Sequence, residues 1–434
     1  MLKTGIMNIL LRSLTVAGRF LLLLSIARFL SPEAMGIWGL VNVTITISLY
    51  FLGLDFYTFN TREILAQDDL HRTPMIRDQI IFHGLVYVII LPLLLVVFLA
   101  GLLSWKYAIW FYLLLMLEHL SQESTRLLTT LSRPTMANAV LFLRSGAWVL
   151  VVMAVMLASP ATRTLPVIWT GWAVGVASSL ALAGYALRQL PWESSRDIAV
   201  DWVWIRRGMK VALPFFCATM SFEVIQYADR YFLQHFWGDA LLGVYTFYAG
   251  IANVIHTFIF AGVIMILYPR IIAAYQQGDL SAYRTLLRRM GIGIVGGLAG
   301  LSAVALLLIK PVLQVVSKQL YVEQFPVFAI MLATTALLTV SYLPHYVLFV
   351  RRRDMAIIGS TLAGLVTAIV ANALLVPSYG LMGAAGATLA AIAVMLIGKA
   401  WATMRTKDKH AAEMENARPG APKEIFVEPI KKDP

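Results

Sequence analysis

Arg12 and Arg19 stand seven residues apart inside an apolar stretch, Met7 to Leu30. Paired guanidinium groups are planar, multiple donors suited to phosphate oxygens. Seven residues turn a helix through almost two full turns, so Asn8, Arg12, Thr15 and Arg19 fall on one face as a polar stripe. A charged group near the centre of a bilayer costs about 2.5 to 3.5 kcal/mol on insertion scales. The stripe is therefore expected to line a wet, positively charged cavity. The competing role is structural: the arginines snorkel, or pair with carboxylates on neighbouring helices.

Other ionisable groups lie in apolar segments further along. Arg144 is either a third anion anchor or the ion-pair partner of Glu118 or Glu123, and both roles are compatible if a substrate displaces the carboxylate. Glu118, Glu123, Glu223 and Asp229 are candidates for ion coupling or gating, with Asp229 and Arg230 alternatively a structural pair. His119, His256 and His345 read as packing histidines. Asp55 is expected at the inner end of the second helix, bordering a gate or facing water. Pro214 breaks a helical hydrogen-bond ladder and is a candidate hinge or a static kink, and Pro92 and Pro344 break theirs likewise.

These residues need long apolar helices to hold them. The 434 residues are 59% hydrophobic and 13% charged, with a mean hydropathy of +0.77, which excludes an ordinary soluble globule. Apolar segments fall at about 7–30, 36–57, 79–101, 107–125, 136–158 and 165–187, then 208–235, 241–268, 290–309, 325–350, 355–376 and 381–402. The expected fold is an all-α polytopic membrane protein of about twelve transmembrane helices. Six of them (1–190) precede the basic stretch 191–207 and six (208–402) follow it. Because six is even, the two halves start on the same side, as parallel repeats forming two lobes around a central cavity. The tail 403–434, charged and carrying Pro419, Pro422, Pro429 and Pro434, is expected to be disordered.

Lysine and arginine mark the cytoplasmic side. With both termini inside, the outer side holds only Arg28, Lys106, Arg163, Lys310 and Lys318 of the 35 basic residues. The net charge of +12 then reads as topological and membrane-surface charge, and nucleic acid is not an expected partner. One cysteine, Cys217, allows no internal disulfide. The first segment is read as a retained span, since no small-residue cleavage pattern follows it. Gly291, Gly293 and Gly296 match a dinucleotide-binding pattern only on paper, for no strand precedes them; they read as close helix packing with Gly297 and Gly300. No Walker lysine motif, metal site or cofactor is expected, and no catalytic residue. Trp38, Trp105, Trp169, Trp237 and Trp401 lie near helix ends, where interfacial anchoring is the default.

Two local matches support a repeat. Ser31-Pro32-Glu33-Ala34-Met35-Gly36-Ile37-Trp38 aligns with Gly238-Asp239-Ala240-Leu241-Leu242-Gly243-Val244-Tyr245. Arg133-Pro134-Thr135-Met136-Ala137 aligns with Arg352-Arg353-Asp354-Met355-Ala356. The run from Ser31, the segment Tyr227 to Leu233 leading to Gly238–Tyr245, and Asn372 to Ala385 with its Pro377, Gly380 and Gly383 resemble the polysaccharide transporter family. These are the Wzx-type oligosaccharide and O-antigen flippases of the superfamily that also holds multidrug exporters and the lipid II flippase. The resemblance implies alternating access that carries an undecaprenyl-diphosphate-linked glycan from the cytoplasmic to the periplasmic leaflet of a bacterial inner membrane. It also implies a first-helix pyrophosphate site and, as further partners, polysaccharide polymerase or export machinery. The membrane potential alone favours outward movement of an anionic head, and proton or sodium coupling stays open. A multidrug exporter and a polymerase or ligase are the rival readings. The first should have an acidic cavity, and the second a sizeable outer loop that this chain lacks.

Overall fold

The computed structural model describes residues 2–195 and 197–405. Among these, eight helical stretches are long and apolar enough to cross a membrane, and two of those, Trp202–Gln276 and Asp354–Arg405, are far longer than one crossing needs. A straight helix of 75 residues would run about 110 Å, against a hydrocarbon core of about 30 Å. Each folds back at one glycine, Gly238 (φ 79°) and Gly380 (φ 52°), in conformations open to glycine and strained for other residues. The Tyr245 hydroxyl lies 2.5 Å from Asp229, although sixteen residues of unbroken helix would part them by about 24 Å.

With these hairpins the eight stretches make ten crossings, and two further helices of crossing length, Leu2–Phe29 and Ala108–Thr130, bring the number of long helical segments among the described residues to twelve. Spans 1 to 6 are Leu2–Phe29, Pro32–Gly53, Asp69–Leu93 continued by Val96–Leu99, Ala108–Thr130, Pro134–Ala158 and Leu165–Leu187. Spans 7 to 12 are 202–237, 239–276, Leu280–Val316, Pro326–Val350, 354–379 and 381–405. Several run past the apolar segments that mark them, because capping residues set helix ends where hydropathy does not. Asp68, Asp201 and Asp279 each accept a hydrogen bond from the backbone three residues on, as N-cap residues do. At Asp68, the His71 backbone N–H and then its ring hold the carboxyl below the usual carboxylate range. A short helix, Tyr57–Leu65, was not apparent from hydropathy, being amphipathic with polar residues at Asn60, Arg62 and Glu63. Span 12 reaches Arg405, so only its last turn enters the segment expected as tail; residues 406–434 lie outside the described residues.

The outward surface is apolar, with Ile109 82%, Leu307 76% and Leu374 68% exposed, as hydrocarbon-facing helices require. Spans 1 to 6 and 7 to 12 form two lobes meeting along span 2 and spans 7 and 8. The repeat is visible at that contact. A Cβ on Gly36 would stand 2.0 Å from the Asp239 carbonyl oxygen, and one on Gly243 would stand 1.9 Å from the Pro32 carbonyl oxygen. The contact is reciprocal, each glycine meeting the residue four before its counterpart, in the register of the sequence match. The second match needs a shift of one residue. Arg133 N–H donates to Leu128 O and Arg353 N–H to Leu348 O, both at 2.9 Å, just after positive-φ residues Ser132 and Arg352. These paired six-to-one turns make Arg353, not Arg352, the counterpart of Arg133.

A second tie closes the lobes at the same end. Lys318 Nζ donates to Ala27 O at 2.5 Å and also to Leu30 O, capping the negative end of span 1 from the other lobe. Burial and then Arg28 pull this ammonium below the usual lysine value, with Glu33 opposing.

Candidate functional site

A polar cavity of about 220 Å³ lies between the lobes, with Trp38 and Asn42 of span 2 facing Tyr227, Arg230, Asn253 and His256 of spans 7 and 8. Span 1 contributes Leu23 to its wall. One helical turn toward the N-terminus stands Arg19, exposed and within electrostatic reach of Arg144, Glu118 and Tyr227. Its guanidinium donates to Ser145 Oγ at 3.0 Å. No carboxylate pairs with it among the described residues.

Arg144 has a different fate. Its Nε donates to Glu118 Oε2 at 2.5 Å, and a terminal nitrogen touches the same oxygen. Trp172 Nε1 donates to the other oxygen, Oε1, at 2.5 Å. This buried carboxylate is thus committed on both sides, and Arg144 is held as a partner rather than left free as a third anchor. The π-helical turn Leu143–Ala147 carries both Arg144 and Ser145. Widening the helix there lets neighbouring residues point to different partners, a use to which such bulges are often put. Replacing Trp172 by phenylalanine is expected to lower stability by about 1.5 to 3 kcal/mol, the worth of a hydrogen bond to a charged acceptor. Thermal unfolding in detergent checks this; an unchanged midpoint would show that the indole contributes nothing to holding Glu118.

Glu123 belongs to another cluster. It accepts from Arg126 at 2.5 Å and from Gln79 at 3.0 Å. The rings of His83 and His119 approach edge to face at 5.0 Å, and His119 Nδ1 meets the Tyr87 hydroxyl at 2.6 Å. His119 is therefore a packed histidine, as read, while His83 and Gln79 gave no sequence signal beyond being polar in span 3.

Thr15 corrects the expected stripe. It is buried, its hydroxyl donates to Leu11 O at 2.8 Å, and its backbone packs against Gly146. It serves the contact with span 5 and is not among the residues lining the polar cavity. The side chains of Asn8 and Arg12 lie outside the described residues.

On span 7, Asp229 accepts from Arg230 at 2.8 Å, Tyr245 at 2.5 Å and Thr388 at 2.9 Å. Three donors from spans 7, 8 and 12 brace this buried carboxylate inside its own lobe. Glu223 has no cationic partner among the described residues. It is buried and within electrostatic reach of Tyr50 of the opposite lobe and of Asp55. Asp55 is buried rather than facing water, with its Oδ2 left without a hydrogen-bond partner among the described residues. Thr44 and Tyr231 share a cross-lobe hydrogen bond of 2.9 Å. The span 2 to span 7 seam thus gathers polar groups that sequence could not reveal, since Tyr50 and Thr44 look like ordinary apolar-helix residues. Tyr227 was within the matched motif but drew no notice of its own.

Pro214 sits in span 7 without an observed break, the non-helical residue of that stretch being Gly238. Pro92 falls in the last turn of its helix, and span 10 breaks at Ser341, ahead of Pro344. His256 lines the cavity and stacks on Phe260 at 5.7 Å. Gly293 and Gly297 pack against Val263 and Ile259, whereas Gly296 and Gly300 face open space. Trp105, Trp237 and Trp401 are exposed at helix ends, but Trp169 is buried and Trp38 faces the cavity.

No family model matches the chain, and no curated protein matches it in sequence. Solved structures do match in fold. A multidrug resistance MATE family transporter of the MOP superfamily, inward-facing, superposes with a TM-score of 0.69 at 15% identity, covering 95% of this chain and 100% of the other. The lipid II flippase MurJ, inward closed, gives 0.69 at 12%, covering 95% and 90%. An outward-facing MATE transporter of the same superfamily gives 0.63 at 14%, covering 95% and 96%. This chain is a multi-pass membrane protein whose fold is similar to those of the two transporters and the flippase above.

Proposed function

We propose that the protein is a flippase for a lipid-diphosphate-linked oligosaccharide, of the Wzx-type polysaccharide transporter class. The observation that carries this reading is Arg19: an arginine in the apolar run of span 1, unpaired with any described carboxylate and one helical turn from Leu23, which lines the polar cavity between the lobes. A fixed cation in such a place suits an anionic head and opposes a cationic drug. The sugar chain would occupy the wet space lined by Asn42, Gln226, Asn253 and Thr334, whose amides and hydroxyl match sugar hydroxyls. Arg12, seven residues earlier in the sequence, would guide the diphosphate in. The similarity to MurJ agrees with a lipid-linked substrate.

In this reading both termini are cytoplasmic, the membrane is a bacterial inner membrane, and the reciprocal glycine contact seals the periplasmic end. A repeat unit for a surface polysaccharide such as O-antigen would be delivered there to polymerase or export machinery. An inside-negative potential favours outward transfer of the head by about 2.3 kcal/mol per charge per 100 mV. Glu223 is the proposed coupling group, since Glu118, Glu123 and Asp229 each have a cationic partner. Glu223→Gln is expected to keep basal flipping and lose any acceleration by an imposed proton or sodium gradient. A mutant that still responds like wild type would remove Glu223 from that role.

The decisive test is reconstitution into vesicles with a fluorescent lipid-diphosphate glycan. Transfer between leaflets at rates well above protein-free vesicles is expected. Export of cationic dyes without glycan transfer would replace this reading with a multidrug exporter.

A further inference from the structure

A second cavity, about 370 Å³ and lined only by apolar side chains, lies where span 1 meets spans 8 and 9. Phe20 and Leu24 face Ile255 and Phe258 of span 8 and Ala305 and Val312 of span 9. It is open to the bilayer, since Phe258, Leu308 and Val315 are 50%, 54% and 61% exposed. It stands back to back with the polar cavity. Leu23 lines one and Leu24 the other; on span 8, Gly250 and Asn253 face the polar side while Ile251 and Val254 face the apolar side. Only the span 1 to span 8 contact parts them, where Leu23 fills the space a Cβ on Gly250 would need.

Arg19 and Phe20 are successive residues, pointing about 100° apart on the helix. One serves the anionic side and the other the apolar crevice. A molecule with a charged head and a long hydrocarbon tail, threaded across span 1, would touch both. We propose that this crevice seats the part of the substrate's isoprenoid tail that adjoins the diphosphate; the inference rests on the flippase reading above. Lipid chains are as apolar as the crevice, so the seat provides no transfer energy. It provides position, holding the head at Arg19 while the rest of the tail stays in lipid, and it selects by shape for a tail that fits between Phe20, Phe258 and Val312.

The test uses the full protein in vesicles of phosphatidylethanolamine and phosphatidylglycerol, with two photoreactive probes. One is a lipid-diphosphate glycan carrying a diazirine near the head end of its isoprenoid chain, and the other a phosphatidylethanolamine carrying it in an acyl chain. The first is expected to label span 9 between Ala305 and Val316, to be competed by unlabelled substrate, and to lose that label in Arg19→Ala. Equal labelling by the phospholipid, or labelling that competition leaves unchanged, overturns the proposal. Independently, Ala305→Trp is expected to slow flipping of the long-chain substrate at least tenfold and to spare an analogue with a two-isoprene tail. Equal loss for both, in protein that elutes as folded, also overturns it. Wild-type protein that flips nothing yet shows the competed label would sink the flippase reading alone. Wild-type flipping without crevice labelling would sink the tail seat alone.

Discussion

Arg19→Ala is expected to slow flipping of a lipid-diphosphate glycan about a hundredfold while leaving the fold intact. A hydrogen bond between charged partners contributes about 1.5 to 3 kcal/mol, and every 1.4 kcal/mol is a factor of ten. The observed bond of Arg19 is to Ser145, so its removal strands no buried carboxylate. Thermal stability should therefore hold or rise, since Arg144 loses a like-charged neighbour. Arg19→Lys keeps charge and loses the planar fork, and an intermediate loss near tenfold is expected. Vesicle flipping assays and thermal unfolding of the three proteins, run side by side, separate the roles. Full transport in Arg19→Ala, or a transport loss matched by unfolding, would end the claim that this guanidinium meets the substrate.

Gly36→Ala and Gly243→Ala are each expected to drive the lobes apart at the end they now close. The new methyl would lie 1.9 to 2.0 Å from a backbone oxygen of the opposite lobe, and backbone cannot rotate aside as a side chain can. Overpacking of this kind costs about 1 to 3 kcal/mol and occasionally more. Because the clash exists only while this seam is shut, that cost falls on the closed arrangement and shifts the population up to about a hundredfold toward any state in which the seam parts. Spin labels at Lys106 and Val322, placed in a Cys217→Ser background, report the opening as a longer distance between lobes. The two substitutions should act alike, since the contact is reciprocal. Unchanged distances in both would show that the seam yields locally and does not govern access.

Gly238 and Gly380 stood within runs the sequence singled out, and the reciprocal pair Gly36 and Gly243 was within reach of it, because a short-range constraint puts glycine there and leaves a matching pattern in each half. The second repeat match was readable only to within one residue, since its equivalence lies in hydrogen bonds at Leu128 and Leu348 rather than in residue identity. The partner of Arg144 could not be read at all. Glu118 and Glu123 sit at similar depth on span 4 but five residues, and so about 140°, apart around the helix. Which of them meets Arg144 depends on how spans 4 and 5 are rotated against each other. Thr15 shows the same limit, sharing a stripe with Arg19 on a helical wheel yet buried against Gly146.

Composition and hydropathy pattern alone determined a membrane-embedded, all-helical protein that crosses the bilayer many times. Those properties follow from hydrocarbon thickness and the need to satisfy every backbone polar group within the chain. Helix rotation, helix ends and the choice of ion-pair partner were decided by tertiary packing. They arise from contacts between residues far apart in the chain, and no local pattern encodes which face of one helix another will meet.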